Sequence, residues 1–277
     1  MQAEAIAFER FDSLNDDDCE QRIIQAKAAL GKRAVILAHH YQRPDVYKHA
    51  DLTGDSLQLS RLASGTDADY LVFCGLHFMG EVADILSKPE QITILPDLSA
   101  GCSMADMASL LKVQRAWHEL SEVLDPDEAV TPVTYINSAA DLKAFCGEHG
   151  GIVCTSSNAV KILQWSFSRR ERVLFFPDQH LGRWSGHKLG IPLEQMVVWD
   201  FDEPMGGLSP EQIRNAKFLL WKGHCSVHQM FQPQHILRFR NQYPEGKVIS
   251  HPECSFEVCK NSDYVGSTDY IIRTIRE

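Results

Sequence analysis

Ala34–Tyr41 reads AVILAHHY, an unbroken apolar run that ends in two histidines and a tyrosine. Apolar residues without alternation mark a strand buried on both faces, as in a parallel sheet covered by helices. Two later stretches have the same form, Pro132–Asn137 (PVTYIN) and Lys247–Cys254 (KVISHPEC). Each is followed by a second strand ending in small polar residues or glycine: Asp69–Gly75 (DYLVFCG), Gly151–Asn158 (GIVCTSSN) and Asp263–Thr268 (DYVGST). The first two copies add a third strand, Ile92–Asp97 (ITILPD) and Arg172–Asp178 (RVLFFPD). Beyond it lies a cysteine among small residues, in AGCSM at Cys102 and in GHCSVH at Cys225. The repetition predicts an α/β fold of three similar αβα units with parallel sheets around a pseudo-threefold axis. The third unit is expected to be incomplete, because residue 277 precedes any third cysteine loop. Equivalent loops meeting at one axis, each with a thiolate, would make a metal or cluster site with an open coordination position.

A chain of 277 residues has room for two or three small α/β units. The expected division is 1–108, an N-terminal helix plus the first unit with its Cys102 loop; 109–200, the second unit; and 201–277, the Cys225 loop and the third unit. The N-terminal helix is expected to be capped by Ser13 or Asn15 and closed by Gly31. Further helices are predicted over Leu57–Ala63, Gly80–Leu86, Ala105–Leu120, Ala139–Phe145 and Asn158–Phe167.

Hydrophobic and charged fractions of 44% and 23% are those of an ordinary globular protein. No apolar run approaches the roughly 20 residues of a membrane span. The opening MQAEAIAFERFD lacks the basic start and apolar core of a signal peptide, so a cytoplasmic location is expected. A net charge of -10 argues against nonspecific nucleic-acid binding. The eight cysteines form no CxxC pair, which favours metal binding or burial over bridging. Cys74 and Cys154, inside apolar strands, are expected to be buried.

Ligands of parallel α/β sheets bind outside the carboxyl ends of the strands, where the polar residues of every copy fall. In AHHYQ, His39 and Tyr41 share one side of an extended chain and His40 faces the other. Together they offer acid, base and hydrogen-bond groups; a core histidine is the plainer reading of the motif alone, but its equivalence to YIN and HPE in the other copies favours a site. Ser56 in GDSLQL sits where a helix cap belongs, and Ser156 in TSSNAV and Thr268 in GST repeat the placement. Such donors suit carboxylates or phosphate. His251-Pro252-Glu253 pairs an imidazole with a carboxyl group whose pKa burial is expected to raise. The chain contains no GxSxG, HExxH, GxGxxG or GxxxxGK[ST], which speaks against the commonest serine hydrolases, zinc hydrolases and nucleotide-binding enzymes.

The segments AHHYQRPDV, ADLTGDSLQL, VFCGLHFMGEVADIL, AGCSMADM, YINSAADLKA, CTSSNAV, FFPDQHLG, WKGHCSVH, HPEC and VGST run in order from about residue 34 to the end. In them the sequence resembles the quinolinate synthase family, iron–sulfur enzymes of NAD biosynthesis. The resemblance implies a cytoplasmic enzyme that condenses iminoaspartate with dihydroxyacetone phosphate to quinolinate, phosphate and water. It further implies a [4Fe–4S] cluster acting as a Lewis acid, with Cys102 and Cys225 as ligands and a third ligand beyond residue 277. Cys254 and Cys259 are the only other thiols near the end of the chain. Carried over by position, His39, Ser56, Tyr135, Asn137, Ser156, His251, Glu253 and Thr268 would contact substrate. Tyr41, His251 and Glu253 would be catalytic. An L-aspartate oxidase or dehydrogenase would supply iminoaspartate. Two other readings remain open on sequence, a cluster-free binder of dicarboxylates or phosphate and a redox sensor built on Cys254 and Cys259.

Overall fold

The computed structural model describes residues 8–277; the first seven residues of the segment read for a signal peptide lie outside this range. The chain divides into two compact units, one ending at Cys102 and the other spanning Ser103–Glu277. Among the described residues no helix is long and apolar enough to cross a membrane.

In the first unit, helix Asp16–Leu30 is capped by Asn15, whose side chain accepts the Asp18 N–H at 2.9 Å. Asp16, Asp17 and Asp18 complement the positive end of its dipole. Gly31, at φ 55, ends it in a conformation that side chains disfavour. The chain then enters a parallel sheet of strands β1 (Ala34–His39), β2 (Leu52–Gly54), β3 (Tyr70–Cys74) and β4 (Ile92–Ile94), in the order β2-β1-β3-β4. Leu37 and Ala38 are fully buried in central strand β1. Helix Ser56–Ser64 contributes Leu59 and Ala63 to the buried set, and helix His77–Leu86 contributes Phe78, Met79, Val82 and Ala83. The short strand β2 (LTG) has no legible apolar pattern; pairing of Leu52, Thr53 and Gly54 with β1 makes it a strand.

The second unit holds a five-stranded parallel sheet of β5 (Val130–Tyr135), β6 (Ile152–Cys154), β7 (Arg172–Phe176), β8 (Met196–Trp199) and β9 (Phe218–Trp221). Their order is β6-β5-β7-β9-β8. A separate parallel pair joins β10 (Ile249–Ser250) to β11 (Tyr264–Val265). All six residues of β5 and all four of β9 are buried, and burial of Val130, Val133, Phe218, Leu219 and Leu220 is worth about 1.5–3 kcal/mol each. Trp199 and Trp221 share one cluster with Trp117, Phe145, Leu174 and Phe176. Strands β8 and β9 were not anticipated from sequence. The expected cut at residue 200 assigns β9 to a third unit, whereas β9 is hydrogen-bonded between β7 and β8 of this sheet. The predicted helix Ala105–Leu120 is two helices, Ser103–Asp106 and Leu110–Ser121. Ser109 separates them in an extended conformation, its side chain accepting the Lys112 N–H at 3.4 Å.

Candidate functional site

Four strands of the second unit deliver functional groups from their carboxyl ends. Tyr135 closes β5, Asp178 follows β7, Cys225 follows β9, and His251 and Glu253 follow β10. Glu253 is the focus, at 4% exposure. The Tyr135 hydroxyl donates to Glu253 Oε1 at 2.8 Å. His228 Nδ1 lies 3.1 Å from Glu253 Oε2, an ion-pair contact whose angle falls short of a hydrogen bond. His251 Nδ1 accepts the Glu253 N–H at 3.3 Å, and its ring stacks on His228 with centroids 4.8 Å apart.

These contacts decide the charges. Burial disfavours the His228 imidazolium, but Cys225 and Glu253 more than offset it and carry the pKa up to about 10. Burial also disfavours the Glu253 carboxylate, yet His228, His251 and Tyr135 together hold its pKa down at about 2. The expectation that burial would raise Glu253 is therefore reversed, because the cationic and hydroxyl partners outweigh desolvation. Burial pushes His251 down, against the pull of Glu253. Burial, reinforced by the Glu253 charge, pushes Tyr135 well up, so its phenol remains a donor.

Asp178 is completely buried and accepts N–H groups from His180 at 3.1 Å and Leu181 at 3.0 Å, capping helix Gln179–Lys188. Burial and then the Glu253 charge raise its pKa. Two buried carboxyl groups are thus driven in opposite directions, which is how acid and base roles separate in one site.

Cys225 lies half-buried on the loop after β9. This loop is tied to β7, since the Gln179 N–H donates to the Gly223 carbonyl at 3.0 Å. A Cβ on Gly223 would stand 2.1 Å from the Pro177 carbonyl oxygen, so only glycine permits the approach. Ligand atoms of Cys225, His228 and Glu253 lie within 4.8 Å of one another, a set able to hold a metal ion.

The other sequence candidates are placed as follows. Asn137 and Ser156 are half-buried in the loops after β5 and β6; Ser156 lies beside the Tyr135 hydroxyl and is not the cap of the helix that follows, a position held by Asn158. Neither Ser56 nor Thr268 caps a helix. Each is the first helical residue, and the cap is its predecessor: Asp55 accepts the Gln58 N–H at 2.8 Å, and Ser267 accepts the Tyr270 N–H at 3.4 Å. The hydroxyl of Ser56, a buried residue, is thereby released from capping. In the first unit, the His39 and Tyr41 rings lie 3.9 Å apart, and the Tyr41 N–H donates to His39 Nδ1 at 3.5 Å. Burial, with a smaller push from His40, lowers His39 to about 4. Tyr41 is 54% exposed, but its hydroxyl reaches in to donate to Met79 Sδ at 3.6 Å. Cys102, half-buried, closes this unit.

His228 and Asp178 were not singled out from sequence. Their only signals were position, three residues after Cys225 in CSVH and at the polar end of RVLFFPD. Cys254 and Cys259 are buried, and burial raises their thiols to about 11 and about 12. The Cys259 thiol donates to the carbonyls of His251 and Cys254, each at 3.6 Å. Thiols held in this state react poorly, which speaks against a redox sensor.

A parallel α/β scaffold that brings a thiol, two imidazoles, a phenol and an ionised buried carboxylate to its strand ends defines an enzyme with a metal-capable centre. The family profile described as Quinolinate synthetase A protein matches residues 21–277. A quinolinate synthase of Herpetosiphon aurantiacus is 55% identical over all of this chain and 75% of its own length. One from Acidobacterium capsulatum is 52% identical over 99% of this chain and 74% of its own. Another, from Corynebacterium glutamicum, is 51% identical over 97% and 68%. The chain belongs to the quinolinate synthase family.

Proposed function

We propose that this chain condenses iminoaspartate with dihydroxyacetone phosphate to quinolinate, phosphate and water. The observation that carries the reading is Glu253, a buried carboxylate kept ionised between Tyr135 and His228 beside the Cys225 thiol. The condensation needs protons removed from carbon and delivered to departing oxygen. Glu253 is the base. His228, protonated to about pH 10, is the donor. Tyr135 fixes the orientation of Glu253 Oε1, and Tyr41 serves a second proton transfer. His39, lowered to about 4, and His251 donate ring N–H hydrogen bonds to charged substrate groups. Ser56, Ser156, Thr268 and Asn137 offer hydrogen bonds to carboxylates or phosphate.

An iron–sulfur cluster takes thiolates as ligands. Cys225, half-buried on the loop after β9, fits that demand, and Cys102, in AGCSM, is the second proposed ligand. His228 and Glu253 are paired with each other and are assigned to substrate chemistry instead. A [4Fe–4S] cluster bound through these thiols supplies Lewis-acid activation of substrate oxygen and nitrogen. Iminoaspartate would come from an L-aspartate oxidase or dehydrogenase, and the cytoplasm is the proposed location.

Glu253→Gln tests the assignment in anaerobically reconstituted protein. Iron and sulfide should be unchanged while quinolinate formation falls by at least about 10²-fold. Undiminished turnover would remove Glu253 from the mechanism, and loss of iron would make it a ligand instead. Substrate binding with neither cluster nor product in the wild type would favour the cluster-free binder.

A further inference from the structure

At the opposite end of the same sheet lies a cavity of about 880 Å³. It collects the segments that lead into β7, β8 and β9, whereas the proposed active site gathers at carboxyl ends. Three cations line it: Arg172, which opens β7, and Arg214 and Lys217, which precede β9. Glu171 is the only acid in its wall, on a chain whose net charge is -10. That concentration of positive charge runs against the character of the whole protein.

Two of the three cations are unengaged. Arg214 and Lys217 are exposed and take part in no ion pair among the described residues. Arg172 donates to Glu171 at 2.8 Å and to the Arg214 carbonyl at 2.7 Å, but its buried Nε has no hydrogen-bond partner. Glu171 is 81% exposed, so this pair is weak and an anion can take its place. The rest of the wall is not that of an inorganic-ion site. Phe167, Leu189 and Ile191 supply an apolar surface, while Gln164, Ser168 and Asn215 supply donors and acceptors. The volume is that of an organic ligand pocket.

We propose that this cavity binds an organic anion, a ring carrying a phosphate or a carboxylate. The ring covers Phe167, Leu189 and Ile191. The anionic group meets Arg214 and Lys217, with the Arg214 guanidinium offering forked donation and Arg172 adding positive charge behind them.

The test is calorimetric titration of the protein at low ionic strength, where charge attraction is least screened. Adenosine 5′-monophosphate represents the phosphate class and benzoate the carboxylate class; inorganic phosphate is the anion without a ring. Saturable binding of either organic probe is expected, weakened at least about tenfold in Arg214→Gln/Lys217→Gln and unchanged in Lys32→Gln. Which organic probe binds identifies the anionic group. The proposal is overturned if neither binds, if the double variant binds as the wild type does, or if inorganic phosphate binds as tightly as both. Both substituted side chains are exposed and lie outside the proposed catalytic machinery. Quinolinate formation and the far-ultraviolet spectrum of the double variant should therefore match the wild type.

Discussion

Replacing Tyr135 with Phe removes one hydroxyl and nothing else from the centre of the site. That hydroxyl donates at 2.8 Å to Glu253 Oε1, and the carboxylate is 4% exposed, so bulk water cannot substitute for it. A hydrogen bond to a charged group contributes about 1.5–3 kcal/mol, and leaving its buried partner unmade costs a similar amount. Tyr135→Phe should therefore lower stability by about 1.5–3 kcal/mol in urea unfolding. It should also reduce quinolinate formation, because Glu253 loses one of the contacts that fixes its orientation and keeps it ionised. In the Glu253→Gln background the bond is neutral, worth about 0.5–1.5 kcal/mol, so adding Tyr135→Phe should cost less there. The difference is a coupling of order 1 kcal/mol. A Tyr135→Phe protein within about 0.5 kcal/mol of wild type, or a cycle with no coupling, would refute the reasoning.

The charge states give a pH prediction. His228, at about 10 in the folded protein against an ordinary 6.5, contributes stability present below pH 6.5 and lost as pH rises through 10. Glu253, at about 2 against 4.5, contributes stability present above pH 4.5 and lost as pH falls through 2. Wild-type melting temperature should therefore fall between pH 6.5 and 10 more steeply than that of His228→Gln; parallel curves would contradict the assignment. Asp178 accepts one N–H on each carboxyl oxygen and Asn keeps one of those acceptors, so Asp178→Asn should be milder than Asp178→Ala. Loss of the cap in the alanine variant should cost about 1–2 kcal/mol, and equal losses in thermal unfolding would mean that the cap needs both oxygens. Iodoacetamide labelling of the folded apoprotein, read by mass spectrometry, should modify Cys225 well before Cys254 or Cys259; the reverse order would restore the redox reading.

The parallel α/β class was legible because buried strands such as AVILA and RVLFF leave no alternation to misread. The carboxyl-end location of the polar residues followed from it, and Tyr135, His251 and Glu253 do gather in one place. Strand β2 was invisible because three residues carry too little pattern. Strand β9 is fully apolar, yet it follows the Gly- and Pro-rich Asp202–Pro210 segment, which invited a domain cut just before it. Helix caps were misassigned by one residue at Ser56 and Thr268 because each follows another capping residue, Asp55 and Ser267. The direction of the Glu253 shift could not be read from HPEC. It depends on His228, twenty-five residues earlier by number, and on Tyr135 from a different sheet.

The central claim is that a thiol-bound cluster beside Glu253 makes quinolinate. Anaerobic reconstitution of the wild type and of Cys225→Ser, with iron, sulfide and quinolinate measured on the same samples, tests it most directly. The account predicts iron, sulfide and product from iminoaspartate and dihydroxyacetone phosphate in the wild type, with all three diminished in Cys225→Ser. Equal iron and equal turnover in the two proteins, or a loaded wild type that forms no quinolinate, would contradict it.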